Sequence, residues 1–409
     1  MELGAVLNHM RDPAGIPTPP IVFQVLFVVT WALHIAFVNL TLGGAAMAIW
    51  GFLKRQDPLW ARLSVTMTNV AKVSVSLAIV LGVAPLLFTQ VIYDPMWYTS
   101  NVLSAAWAIT FIFTLGIGYT LWFVFYYRNI GQKASSGTLG WALAALALLL
   151  LDGFIMHVLA YQSISPQKWL SWYSPGGIPD MSGTGIHGFE LPRYFFFLAM
   201  SVVMAGLFLL GYADYFSVRE KSHPRDYLDF CRDKGISWAK AGLVVQLFFG
   251  LWWMTEIRHL GAISHPLTWL TVAALLLLLG FVFSSGKNLG RGKGVLALGL
   301  FGLMDILVSL DREAIRIAIL KPLGYDPMTY RVSWDVASTA LFFLTFLGVG
   351  GLVVGFMLAM LWQAGRTEGT YTAKGLVAQL GTWSVAITAL WVVIFFLVGL
   401  AVWLGNYSI

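Results

Sequence analysis

Ten stretches of about twenty or more mostly apolar residues follow one another along this chain, separated by short breaks of glycine, proline and charge. Each is long enough to cross the roughly 30 Å hydrocarbon core of a bilayer as a helix. They lie near residues 20–53, 63–92, 101–127, 137–163, 190–217, 237–257, 266–285, 294–320, 335–364 and 376–404. In lipid every backbone amide must be satisfied inside its own segment, so runs of this kind specify an all-α, polytopic membrane bundle. Charged residues are 11% of the 409 positions, too few to coat a core of that size against water. Several runs exceed 25 residues, which implies tilt or extension past the hydrocarbon. The connections are short, so the reading is one membrane domain over 1–409. No repeat of 20–50 residues is visible, which leaves the inverted-repeat transporter architecture without support.

The loops orient the bundle. Lys54, Arg55, Arg62, Arg128, Lys133, Arg219, Lys221, Arg225, Arg232, Lys234, Lys240, Lys287, Arg291, Lys293, Arg366 and Lys374 fall at alternate connections. The other side holds Arg11, Lys168, Arg193, Arg258, Arg312, Arg316, Lys321 and Arg331, half as many. Basic residues gather on the cytoplasmic face, so both termini are expected outside, in the inner (cytoplasmic) membrane of a bacterium or archaeon. The net charge of +6 is then a topology signal and not a nucleic-acid footprint. The segment Met1–Pro20 is polar and lacks a basic leader, so no cleavable signal peptide is expected. A lone cysteine, Cys231, excludes a disulfide framework, a four-thiolate metal site and a CxxCH heme attachment. No glycine spacing matches a phosphate-cradling loop, so nucleotide binding has no support.

In so apolar a chain the ionisable residues at membrane depth carry the information, because each costs several kcal/mol unless paired or hydrated. His34, in TWALHIAFVNLTLGG, lies about 20 Å below the start of the first span at 1.5 Å per residue. Its imidazole could ligate a heme iron or simply donate to a neighbouring carbonyl. The LTLGG after it offers small residues for close helix packing or for a flat ring. Lys72 sits about ten residues inside the second span and could snorkel to the surface. Asp152 interrupts the apolar run ALALLLLDGFIMH of the fourth span and needs a cation, a hydrogen-bond network or a proton. Lys72, Asp152 and Asp305 are the candidates for proton transfer.

The eighth span ends in DREAIR, where Asp311, Arg312, Glu313 and Arg316 can neutralise one another at helical spacing. Alternatively, they anchor heme propionates or a quinone head group, for which the forked guanidinium of Arg312 is suited. On the orientation above, His9, His157, His187, His259 and His265 gather at the outer face, while His223 is cytoplasmic. Ordinary surface histidines are the commoner case, but a site that discharges protons outward would use them. The longest outer connection, Ser163 to Glu190, is rich in Pro and Gly and should be irregular. The longest inner one, Val218–Gly235, is charged and is expected to cap a cytoplasmic hairpin. Aromatic segments such as YDPMWYTS and QKWLSWYSP suit the membrane boundary.

Three segments together resemble subunit I of the cytochrome bd-type quinol oxidases. FQVLFVVTWALHIAFVNLTLGGAAMAI is similar to that family's opening helix, in which a histidine precedes a PLTLG-like run, and His34 falls where the family ligates heme. ALLLLDGFIMHVLAYQSISPQKW resembles the helix ending in NGWMQ-NP, with Asp152 in place of the asparagine. DREAIRIAILKP resembles the GRQPW segment, with Arg312 matching its arginine. The departures are as informative. The family's second histidine falls near Phe196, its methionine within TWLTVAAL and its ninth-helix glutamate near Phe356. Its paired glutamates fall within AAWAITFIFTLG, and only about ten residues stand in place of its quinol loop. The resemblance therefore implies a scaffold holding one b-type heme at His34 (the sole metal ligand expected), a quinone, or no cofactor, and not a three-heme oxygen-reducing centre.

The function these features suggest is a membrane subunit of a respiratory electron-transfer complex, an oxidoreductase subunit if it has an enzymatic role. It would exchange electrons or protons with quinone or a periplasmic cytochrome, alongside cytochrome c or iron–sulfur partner subunits. Two alternatives remain open at this point: an ion or solute transporter or channel lined by Lys72, Asp152 and Asp305, and a cofactor-free anchor for redox subunits.

Overall fold

A computed structural model describes residues 2–130, 135, 137–217, 223–258, 262–285, 292–364, 367 and 370–406. Among them the regular structure is helical apart from one isolated β-bridge, and ten helices are long and apolar enough to cross a membrane. In chain order the helices are α1 (Leu3–His9), α2 (Pro20–Leu53), α3 (Pro58–Ile92), α4 (Asp94–Leu103), α5 (Ala105–Ile130), α6 (Thr138–Ser163) and α7 (Trp169–Tyr173). They continue with α8 (Leu191–Ser217), α9 (Arg225–Glu256), α10 (Pro266–Ser285), α11 (Lys293–Leu320), α12 (Val336–Phe343), α13 (Gly351–Ala364) and α14 (Gly375–Asn406). The chain divides into two compact units, one of residues 1–13 and 20–330, the other of residues 14–19 and 331–409.

The expected spans are all present, and local chemistry explains where their limits moved. The third helix starts at Pro58, because Asp57 accepts the Leu59 amide at 2.8 Å and proline suits the first helical position. The stretch expected to cap a cytoplasmic hairpin is, from Arg225 onward, the first turns of α9 itself, which runs unbroken for 32 residues. A short helix, α4, precedes the α5 span, its first residues set by Asp94 and Pro95. The connection after α6 is irregular, as its Pro and Gly content implies, with two single 3-10 turns around α7 and then extended chain.

In the larger unit α2 and α3 pair closely, as do α8 and α9, and α11 packs on α2, α8 and α10. Small residues set the approach. A Cβ on Gly43 would sit 1.9 Å from the Ser201 carbonyl oxygen, so only glycine lets α2 lie this near α8. The LTLGG segment thus serves helix packing. Asn39 reinforces the same contact by accepting from the Ser201 hydroxyl at 2.8 Å. The end of the bundle where α2, α8 and α10 start is called the leading end below, and the opposite one the far end.

The smaller unit is tied by a parallel bridge between Ile16 and Val332, with Ile16 donating to Arg331 at 2.9 Å and Ser333 donating to Ile16 at 2.9 Å. Its expected 335–364 span is interrupted by a π-helical stretch, Leu344–Gly350, between α12 and α13. There the Trp391 indole of α14 donates to the Thr345 hydroxyl at 2.6 Å.

Candidate functional site

Three arginines meet at the leading end of the larger unit. Arg312 and Arg316 stand one turn apart on α11 and so share a face, while Arg193 comes from the first turn of α8. All three line one cleft, with Glu190, the α9 residue Trp253, and an apolar wall of Ala160, Ile164, Ile257, Ile315 and Ile319. Aromatic faces hold the guanidiniums. Arg312 lies 4.4 Å from the Trp31 ring centre and 5.2 Å from that of Phe27. Arg316 lies 4.9 Å from Phe27 and 4.7 Å from Tyr93, and Arg193 5.9 Å from Trp253. Such stacking suits arginine, whose planar cation is weakly hydrated.

The acceptors at hand are fewer than the donors. Glu313 spends one oxygen, Oε1, on the Tyr93 hydroxyl and on the Gln24 amide at 3.2 Å. Its other oxygen is 3.4 Å from Arg316 Nη1, an ion pair too poorly aligned to be a hydrogen bond. Glu190 accepts the Trp253 indole N–H at 3.1 Å. Arg193, Arg312 and Arg316 each keep a buried Nη1 with no hydrogen-bond partner among the described residues. Arg193 and Arg316 are only 7% and 8% exposed, so water does not make up the shortfall along most of their surface. The three cations also lie within coulombic range of one another.

Above the cleft the chain is laced together by tyrosines and one more arginine. Arg11 donates to the Asp326 carbonyl at 2.7 Å and stacks on Tyr325 and Tyr330 at 4.3 and 4.8 Å. Asp94 accepts the Tyr330 hydroxyl at 2.6 Å and the Asp12 amide at 3.0 Å. Burial pushes the Asp94 carboxyl above the usual carboxylate range, opposed by these hydrogen bonds. Burial, then the nearby Glu313 charge, pushes the Tyr93 phenol well up, so Tyr93 stays a donor.

His34 lies one turn below Trp31 on α2, partly buried, with Arg312 close enough to act on it electrostatically. Its Nδ1 is 2.9 Å from the Ala78 carbonyl of α3, which fixes Nδ1 as the donor and leaves the Nε2 lone pair available. A Cβ on Gly82 would lie 2.8 Å from the ring, so the glycine makes room for the imidazole against α3. Pro85 follows three residues on and removes one amide from that part of the α3 ladder. No group of three or more His, Cys, Asp or Glu suited to a metal ion occurs among the described residues.

The other candidates are scattered. Asp311 faces α10, accepting from the Thr268 hydroxyl at 2.7 Å, near His265, whose Nδ1 accepts from the Leu267 amide at 3.3 Å. His157 lies beside the cleft, with Nε2 accepting the Glu190 amide at 3.1 Å and Arg193 close enough to act on it electrostatically. His187 stacks on Trp172 at 5.4 Å and bonds the Leu103 carbonyl at 3.2 Å. His259 lies outside the described residues.

Asp152 accepts from the Thr114 hydroxyl of α5, its second oxygen buried without a partner, whereas Lys72 sits 4.0 Å over the Tyr126 ring of the same helix. Thr114 and Tyr126 are about 18 Å apart along α5 at 1.5 Å per residue, so Lys72 and Asp152 do not meet. Asp305 is 3% exposed, with one carboxylate oxygen lacking a partner.

Arg193, Glu190, Trp253 and Tyr93 join the site only in three dimensions. Sequence offers Arg193 merely as a charge at a helix start, with nothing to say which way it turns. No family model matches the chain, and no curated protein is similar to it in sequence.

Proposed function

We propose that this multi-pass membrane protein is a subunit of a respiratory electron-transfer complex, and that its leading end holds a redox cofactor or its anionic edge. The reading stands on one observation: three guanidiniums each with a buried nitrogen short of an acceptor, two of them stacked on Phe27 and Trp31, with a histidine one turn deeper whose Nε2 is left available. The arrangement fits a b-type heme or a quinone: His34 would ligate or hydrogen-bond the group, and Arg312 would anchor a carboxylate or carbonyl. Glu313, held by Tyr93 and Gln24, would fix the side of α11 from which Arg316 approaches. A heme bound there supplies one-electron transfer. A single such site does not carry electrons across about 30 Å of hydrocarbon, so cytochrome c-type or iron–sulfur partner subunits complete the path. The Lys and Arg bias supports a leading end that faces outward in the cytoplasmic membrane, with both termini outside. The scaffold's resemblance to cytochrome bd-type subunit I agrees with this reading.

The decisive measurement is a pyridine hemochrome spectrum of the chain purified with its partners, beside the His34→Ala variant. A b-type signal lost in the variant is expected, and no signal in a preparation that keeps its partners rejects His34 as a ligand. A second reading, ion transport, draws on the partnerless oxygens of Asp152 and Asp305. Ion flux into liposomes holding this chain alone, abolished by Asp305→Asn, would favour it over electron transfer.

A further inference from the structure

The cleft also states the charge of its guest, whatever the guest's redox role. Around it stand the cations of Arg193, Arg312 and Arg316, against the carboxylates of Glu190 and Glu313, which leaves one positive charge over. Buried ions need opposite charges as well as hydrogen bonds, because desolvation outweighs any single contact. A neutral carbonyl offers acceptor oxygens but no charge. An oxyanion offers both, and its two or three oxygens match guanidinium forks that each still have a nitrogen to give. The space in the cleft open to a water molecule is about 20 Å³, and its remaining wall is four isoleucines and one alanine, suited to contact with an alkyl chain.

We propose that this cleft is an oxyanion site, occupied by a phosphate group that belongs either to an anionic lipid or to free phosphate. The site is that of the redox reading and the proposal deepens it: a bound cofactor must then bring an acidic arm, and a neutral quinone head does not suffice. The apolar wall favours the lipid source, and the free ion is the other arm of the test.

The full chain is placed in phosphatidylcholine nanodiscs, and its thermal unfolding is followed while inorganic phosphate is added. Potassium chloride at matched ionic strength is the control, and a parallel preparation replaces a third of the lipid by phosphatidylglycerol. Stabilisation by phosphatidylglycerol but not by free phosphate assigns the lipid source, and stabilisation by free phosphate assigns the ion. Arg193→Gln with Arg316→Gln should weaken the response at least tenfold. If that double variant does not fold, Glu190→Gln answers instead: it removes a negative charge, keeps an acceptor for Trp253, and should tighten binding several-fold. Equal responses to phosphate, phosphatidylglycerol and chloride, or a Glu190→Gln chain that binds no tighter, overturn the proposal. A hemochrome spectrum of the same preparation separates the two readings. An anion response without heme sinks only the heme assignment at His34, and heme without an anion response sinks only this one.

Discussion

At the far end of the bundle Asp214 is 7% exposed, and both of its carboxylate oxygens are used: one accepts the Gly294 amide at 2.7 Å, the other faces Arg232 at 3.4 Å. At the leading end Arg193 is 7% exposed as well, and one of its nitrogens meets nothing among the described residues. The contrast extends to the neighbours. Asn129 at the far end gives its amide to Ser64 and Thr68 at 3.1 and 3.0 Å, and Arg62 donates to His223 at 2.6 Å. Arg312 and Arg316 repeat the shortfall of Arg193. Burial of charge is therefore not what marks a site in this protein. A completed set of donors and acceptors marks architecture, and a surplus of one sign marks a place for something else.

The largest effect should come from Gly43→Ala, which drives a Cβ into the Ser201 carbonyl and parts α2 from α8. Overpacking of this kind costs about 1–3 kcal/mol or more. Since α2 also carries Phe27 and Trp31, both ends should suffer together, seen as a lower unfolding temperature and a weaker anion response. A variant stable as wild type would show that the ends do not depend on this seam.

Next in size is Asp214→Ala, which leaves the buried Gly294 amide without its acceptor, and Arg232 with Asp229 alone, at about 1–3 kcal/mol. The informative control is Arg193→Gln in phosphatidylcholine without phosphate. Removing one of three crowded like charges should cost clearly less than Asp214→Ala, and should raise the unfolding temperature if repulsion dominates. If Arg193→Gln is the more damaging of the two, Arg193 is already satisfied and the contrast between the ends fails.

Much of the scaffold could be read from the chain because the bilayer permits so few solutions. Length and apolarity alone found every span, and the errors were local: a helix start moved to Pro58, and a supposed cap that proved to be the first turns of α9. The site was half legible. Four-residue spacing by itself puts Arg312 and Arg316 on one face of α11. Asp311, next to Arg312 in sequence, turns instead to Thr268, because neighbouring helical positions point about 100° apart. Arg193 reads in sequence only as a charge at a helix start, since its direction depends on how α8 is rotated in the bundle. Nor could the chain say that Glu313 would bond Tyr93, 220 residues away, or that Lys72 would choose Tyr126 over Asp152.

The smallest expected effect lies with His223, and it tests whether the far end is as complete as its hydrogen bonds suggest. Arg62 can only donate, so Nδ1 must be the acceptor, and Nε2 therefore carries the proton and donates to the Tyr212 hydroxyl at 2.7 Å. This geometry holds only for a neutral ring. Burial first, and then the Arg62 cation, pushes the imidazole below its ordinary value. The sign follows from linkage: a group held neutral in the fold contributes fully above the unfolded value of about 6.5 and loses that contribution as pH falls through the lower folded value. Stability should therefore decline as pH drops from 7.5 through the range below 6.5, by less than Asp214→Ala costs. His223→Gln keeps an acceptor for Arg62 and cannot titrate, so it should flatten that part of the profile. A slope unchanged in His223→Gln would mean that the acid sensitivity arises elsewhere and that His223 is not held neutral by its contacts with Arg62 and Tyr212.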